Sequence, residues 1–292
     1  MSRDWKSHRL HANGHHMAWF EIGEGPTVIC LHGSYDHLLY RPMGELLARK
    51  YRCVLYDQRG SGESTLTDLN DEAMDIANFT RDLDALRRHL KLDKVAILGH
   101  SWGCALGLLY AQEFPDRVSR LILIGPGPLN TDMKDYYRAN RDRMAYPVIP
   151  GELARLDDQL QKAKMDKAAF PQDIDELLIR AWAPVMFYSS EQAADFVDSY
   201  LESGGHQRHA VPASNFSIDM QLRASERITA PTLVVYGYQD YEPITQAYLI
   251  QERIPRTQIS FLNRCGHMVW LDQPEDFFAA IDSFLADKSG AG

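Results

Sequence analysis

Residues 94–103 read KVAILGHSWG, and beyond Cys104 the chain continues as ALGLLYAQEF (105–114). The apolar run that ends at Gly99 predicts a buried strand, and the long apolar stretch after it predicts a helix. Between them lies Gly99-His100-Ser101-Trp102-Gly103, a G-x-S-x-G pentad. Alone, the pentad recurs by chance. Between a strand and a helix it predicts a strained, sharp turn that lifts the middle serine, Ser101, into the open. A glycine at each end lets the backbone crowd into that turn.

Five further runs resemble the first: PTVICLHG (26–33), YRCVLYD (51–57), RLILIGP (120–126), TLVVYG (232–237) and QISFLN (258–263). Continuous apolar runs, rather than alternation, predict strands covered on both faces. Helical patterns lie between them. DIANFTRDLDALRRHL (75–90) puts Ile76, Phe79, Leu83, Leu86 and Leu90 on one face, and PEDFFAAIDSFLAD (274–287) opens with Pro274 in a first helical turn. Strand and helix in alternation give the α/β class: a mostly parallel central sheet flanked by helices. Residues 127–225 break the rhythm. GELARLDDQLQKA, DELLIRAW and SEQAADFVDSYL read as helices without a clear strand, while GGHQRHAVPASN (204–215) reads as a loop. The predicted organisation is a core domain of residues 1–126 and 226–292 with a helical cap, 127–225, inserted into it.

Ligands of such sheets bind outside the carboxyl ends of the strands, so the residues just past each strand are the ones to weigh. A serine hydroxyl is a weak nucleophile and needs a base, which in turn needs an orienting acid. In this architecture the chain order is serine, acid, histidine. Asp240 comes after TLVVYG, within YQDYEP, and His267 comes after QISFLN, within RCGHMVW. The order is met, and Ser101, Asp240 and His267 are the candidate triad. A tetrahedral intermediate also needs two N–H donors. Trp102, next after the nucleophile, supplies one, and Ser34 in LHGSYDH (31–37) supplies the other, with Gly33 allowing close approach. Such chemistry requires no metal and no cofactor. The turn DQRGSGES (57–64) reads as structural, with Asp57 and Arg59 bracing neighbouring loop backbone.

From the HG loop to the last helix, these motifs resemble the α/β-hydrolase fold. Within it, DQRGSGES, SWG and YAQEFPDRVSRLIL resemble the prolyl aminopeptidase (proline iminopeptidase) group. The resemblance maps that group's nucleophile, acid and base onto Ser101, Asp240 and His267. Haloalkane dehalogenases and epoxide hydrolases share the fold but carry Asp at the nucleophile position, which Ser101 argues against. Two stretches depart from the aminopeptidase pattern. HGSYD stands where that group carries HGGPG, and AWAPVM (181–186) places Met186 where a cap Glu grips the substrate's amine. Glu191 or Glu242 could substitute for that carboxylate. Without one, an apolar cap bearing Trp182, Met186, Phe187, Tyr188, Phe196 and Tyr200 suits neutral substrates. The expected function is therefore hydrolysis of a small carboxylic ester or amide. Alternatives are release of an N-terminal residue from a short peptide, carbon–carbon bond hydrolysis, lactone hydrolysis, and ligand reception on the same fold.

Composition sets the outer limits. The 292 residues carry a formal net charge of -9, which disfavours nucleic acid as a partner. No apolar run reaches the length of a membrane span, and the first residues lack the apolar core of a signal peptide. Cys30, Cys53, Cys104 and Cys265 form no C-x-x-C or zinc spacing, so they read as buried reduced thiols of a cytoplasmic protein. His8, His11, His15 and His16 lack the partners of a metal site and read as an exposed terminus or a hairpin turn. Nothing in the sequence fixes the oligomeric state.

Overall fold

The computed structural model describes residues 4–67, 70–145, 179–180, 183–202 and 213–287. Eight strands form one sheet: β1 (Lys6–Ala12), β2 (His15–Ile22), β3 (Thr27–Leu31), β4 (Arg52–Tyr56), β5 (Val95–His100), β6 (Val118–Ile124), β7 (Thr232–Gly237) and β8 (Thr257–Leu262). Their order is β1-β2-β4-β3-β5-β6-β7-β8. The pairs β1/β2 and β2/β4 are antiparallel, and all others are parallel. The N-terminal hairpin turns at Asn13 (φ 48°) and Gly14 (φ 78°). This Asn-Gly pair has two left-handed central residues, which suits a two-residue hairpin loop. The sequence showed the turn but not the two strands beside it.

The parallel strands sort their residues strictly. Val28, Cys30, Ala96, Leu98, Ile122 and Ile124 join one apolar layer. Ile29, Leu31, Ile97, Leu121 and Leu123 join the other. Because both faces are covered, these positions are all apolar, and each fully buried Val, Leu or Ile contributes about 1.5–3 kcal/mol. The edge strand β8 departs from this expectation. Gln258 is exposed, and Ile259, Ser260 and Phe261 are only half-buried, because the strand pairs on one side only, with β7.

One layer is covered by α1 (His37–Leu47), the short α8 (Val269–Asp272) and α9 (Pro274–Ala286). The other is covered by α2 (Ile76–His89), α3 (Trp102–Glu113), α6 (Asp219–Ser225) and α7 (Gln246–Arg253). Of the segment predicted as the cap, α4 (Thr131–Ala145), α5 (Ser190–Glu202) and α6 are described, and α6 packs on the core rather than over it. GELARLDDQLQKA and most of DELLIRAW lie outside the described residues. The last part of the cap segment lies on the core: Ser214 bonds the backbone of Met74 and Ile76, and Phe216 packs edge-on against Trp102. Among the described residues no helix is long and apolar enough to cross a membrane. Within the same residues no group of three or more His, Cys, Asp or Glu side chains is arranged to hold a metal ion. All four cysteines are buried and unbridged.

Candidate active site

Ser101 stands between β5 and α3 with φ 53° and ψ -118°. A non-glycine residue in this region is strained by about 1–3 kcal/mol and persists only where its surroundings hold it. Here its N–H donates to the Ile124 carbonyl at 2.9 Å, and its carbonyl accepts from Cys104 N–H at 2.9 Å. The flanking glycines are there for close approach. A Cβ on Gly99 would lie 2.3 Å from the Gly103 carbonyl oxygen, and one on Gly103 would lie 2.2 Å from that of Leu31. Helix α3 begins directly at Trp102, earlier than the apolar run 105–114 alone indicates.

Asp240 lies just past β7 and His267 just past β8. Both are buried, and His267 Nδ1 lies 3.0 Å from each oxygen of the Asp240 carboxylate. The carboxylate accepts, so Nδ1 carries a proton, and in the neutral ring Nε2 is the nitrogen with the free lone pair. Asp240 Oδ1 also accepts the Glu242 N–H at 2.9 Å, and the His267 N–H donates to the Met186 carbonyl at 2.7 Å. The pair rests on bare backbone just past β6: a Cβ on Gly125 (φ 51°) would lie 2.8 Å from His267 Cε1 and 3.0 Å from Asp240 Oδ2. Ser101 is tied to Ile124 and the Asp240–His267 pair lies on Gly125. The three residues of the predicted triad therefore gather at the carboxyl end of β6. Tyr241, which the sequence did not single out, covers the imidazole at 4.7 Å between ring centroids.

Of the two residues expected to donate to an oxyanion, Trp102 is the first residue of α3, whose N–H has no acceptor within its own helix. Ser34 is exposed on the neighbouring loop, one residue past Gly33. That loop is braced by Gln58, which no sequence motif singled out. Gln58 N–H donates to His32 Nε2 at 2.9 Å, and its amide nitrogen donates to the His32 carbonyl at 2.7 Å. Its amide oxygen accepts from the Trp102 indole at 2.9 Å. Gln58 thus ties the Ser34 loop to the start of α3. Its neighbours act differently. Arg59 forms a bidentate pair with Asp82 of α2 at 2.7 and 2.8 Å. Asp57 accepts from the backbone N–H groups of His37 at 2.9 Å and Glu63 at 2.7 Å.

Burial alone would raise the Asp57 carboxyl, but the His37 ring and these amides outweigh it and hold it below the usual carboxylate range. The sign comes from linkage. With a folded value below the unfolded one, this carboxylate stabilises the protein above about pH 4, and the contribution is lost as pH falls through the folded value. Asp57→Asn should cost about 2–4 kcal/mol near neutral pH, with the gap to wild type closing in acid, as read by chemical denaturation at both pH values. Equal stability at neutral pH would remove the bracing role.

The cap residues divide. Met186 and Phe187 are buried, and the Met186 carbonyl also accepts the Met268 N–H at 3.2 Å, so this segment is joined to the His267 loop. Tyr188 is half exposed, its N–H bonded to Asp272 at 3.0 Å. Phe196 lies between Phe187 and Tyr200, and the Tyr200 hydroxyl donates to Asp36 at 3.2 Å, beside the Ser34 loop. Glu191 is exposed in the first turn of α5. Trp182 lies outside the described residues. Glu242 is buried beside Asp240, and its Oε2 has no hydrogen-bond partner among the described residues. Burial, and then the Asp240 charge, push its carboxyl well above the usual range. This ionisation opposes folding: wild type loses stability as pH rises above the ordinary Glu value of about 4.3. Glu242→Gln should therefore gain stability over wild type between acid and neutral pH, as read from melting temperatures across that range. A constant difference would mean that Glu242 is charged in the fold.

The chain belongs to the α/β-hydrolase fold family, whose model matches residues 26–274. It is a hydrolase of that family, and its relatives diverge in chemistry. It is 27% identical over 286 residues to a 2-hydroxy-6-oxo-6-phenylhexa-2,4-dienoate hydrolase of Burkholderia cepacia, covering 96% of this chain and 92% of the relative. It is 27% identical over 281 residues to a proline iminopeptidase of Heyndrickxia coagulans, covering 91% of this chain and 92% of the relative. Among solved structures, an α/β fold family hydrolase from Bacillus anthracis superposes with a TM-score of 0.71 at 20% identity, covering 96% of this chain and 99% of that one.

Proposed function

We propose that the protein is a serine hydrolase cleaving a small neutral carboxylic ester or amide through an acyl-enzyme. The observation that carries this reading is the buried His267–Asp240 pair, seated on the same strand end that anchors the strained Ser101. Ser101 Oγ attacks the carbonyl carbon while His267 Nε2 takes its proton. Asp240 holds the Nδ1–H tautomer and stabilises the imidazolium that forms. The Ser34 and Trp102 amides receive the oxyanion, aided by the positive end of α3. His267 then protonates the leaving group, and water, deprotonated in turn by His267, releases the acyl group.

The part of segment 127–225 that holds α5 acts here as a cap, with Met186, Phe187 and Phe196 among its apolar residues. Two features disfavour a free-amine substrate. Met186 offers no carboxylate, and Glu191 faces solvent. Burial pushes the Glu242 carboxyl well above the usual range, which disfavours the charged form that an ammonium would pair with.

The test gives the protein short-chain p-nitrophenyl esters and, separately, proline p-nitroanilide with a free or a blocked amine. Fast ester cleavage with no preference for the free amine supports the reading. Preference for free-amine proline would instead make the protein an aminopeptidase like its Heyndrickxia relative, with Glu242 and Glu191 the first anchors to replace. A second reading, carbon–carbon bond hydrolysis, is favoured by the Burkholderia relative. The same nucleophile would attack a ketone carbonyl and expel a carbon leaving group, so turnover of 2-hydroxy-6-oxo-6-phenylhexa-2,4-dienoate but not of esters would select it.

A further inference from the structure

Beneath Ser101 runs a chain of three buried hydrogen bonds. The Gly33 N–H lies 2.7 Å from the Tyr40 hydroxyl oxygen, which lies 2.8 Å from His100 Nδ1. On the other side of the ring, His100 Nε2 lies 3.1 Å from the His267 carbonyl oxygen. Tyr40 is fully buried and His100 nearly so, and Trp270 packs on both, at 5.3 and 4.8 Å between ring centroids.

The inventory of protons sets the direction of every bond. A carbonyl only accepts, so His100 Nε2 carries the ring proton. Burial, reinforced by the neighbouring His267, keeps the ring neutral. Nδ1 is then an acceptor, and the Tyr40 O–H must donate to it. The same hydroxyl oxygen accepts the Gly33 N–H. A cationic ring would point two donors at one hydroxyl oxygen and leave the Tyr40 proton to find another acceptor. Each donor thus has one acceptor.

Three parts of the site are joined this way: the loop that carries Ser34, the residue preceding the nucleophile, and the loop that carries the base. The arrangement also commits the Gly33 N–H to Tyr40, which leaves Ser34 as that loop's donor. We propose that Tyr40 and His100 are positioning residues that fix the oxyanion loop and the His267 loop relative to Ser101. This rests on the serine-hydrolase reading above. The His100 ring packs on the His267 ring at 4.4 Å between centroids, and among the described residues neither Tyr40 nor His100 is hydrogen-bonded to a side chain of the proposed triad. Their effect is on placement, where an error of about 1 Å costs on the order of 100-fold in rate.

The test uses the full chain and a fluorophosphonate probe, with the rate of covalent labelling of Ser101 as the readout. Tyr40→Phe and His100→Ala should each slow labelling by about 10- to 100-fold, with a cooperative melting transition retained. His100→Gln, whose amide can still reach the His267 carbonyl as a donor, should recover most of the rate lost in His100→Ala. A purely structural role would not give that rescue. Independently, nitrogen-15 spectra of the wild-type histidines at neutral pH should show His100 as the neutral Nε2–H tautomer. In Tyr40→Phe the resonance of its unprotonated nitrogen should move. Labelling within about twofold of wild type in folded Tyr40→Phe and His100→Ala would overturn the proposal, as would an Nδ1–H tautomer. A wild-type protein that the probe does not label would instead refute the serine-hydrolase reading, and the positioning role with it.

Discussion

Ser101→Ala is expected to fold normally and to hydrolyse its ester about 10⁴- to 10⁶-fold more slowly than wild type. The loss is large because the proposed mechanism makes the Ser101 hydroxyl the attacking group. Stability should be nearly unchanged. The Ser101 side chain makes no capping bond to α3, and alanine suffers the same positive φ. Ser101→Gly separates the two effects. It should be equally inactive yet more stable than Ser101→Ala by about 1 kcal/mol, because glycine adopts φ 53° without strain. Turnover assays and thermal melts of the two variants check both statements. Residual activity near that of wild type would refute the assignment of the nucleophile.

Asp240→Asn should lower kcat by about 10⁴-fold with KM little changed. The specific reason lies in the Glu242 amide. That N–H donates to Asp240 Oδ1, so an asparagine keeps its oxygen there and turns its NH2 toward His267 Nδ1. The NH2 is a donor and forces the proton onto Nε2, which can then no longer accept from Ser101. The fold should survive, since the side chains are isosteric. Steady-state kinetics against wild type measure the effect. A fall of less than about tenfold would mean that Asp240 neither orients the base nor stabilises its cation.

The parts of the fold legible in sequence were those with one physical cause. Strands β3 to β7 carry continuous apolar runs through their centres because both faces are covered, with Thr27, Arg52, Ser119, Arg120 and Thr232 near their starts. The elbow was legible because close backbone contacts at Gly99 and Gly103 exclude any side chain there. Other parts are set by tertiary context. Helix α1 escaped notice because Pro42 and Gly44 interrupt its pattern, and its start depends on Asp36 accepting the Leu38 N–H. The first two strands hid behind a run of polar residues and histidines, whose rings stack on neighbours, as His8 does on Trp19. At the site, chain order led to the expectation that Asp240 and His267 pair, and their side chains meet at 3.0 Å. Gln58, Tyr40 and His100 were not legible, because their roles come from hydrogen bonds between segments distant in sequence, such as His100 to the His267 carbonyl. Only the position of Gln58 inside the DQRG turn offered a hint.

If Ser101 is an activated nucleophile, covalent labelling shows it most directly. The protein is incubated with a fluorophosphonate, its intact mass is measured, and the modified peptide is sequenced. The predicted result is one label per chain, on Ser101, absent in Ser101→Ala and strongly slowed in Asp240→Asn. An unlabelled wild-type protein, or a label on another residue that persists in Ser101→Ala, would contradict it.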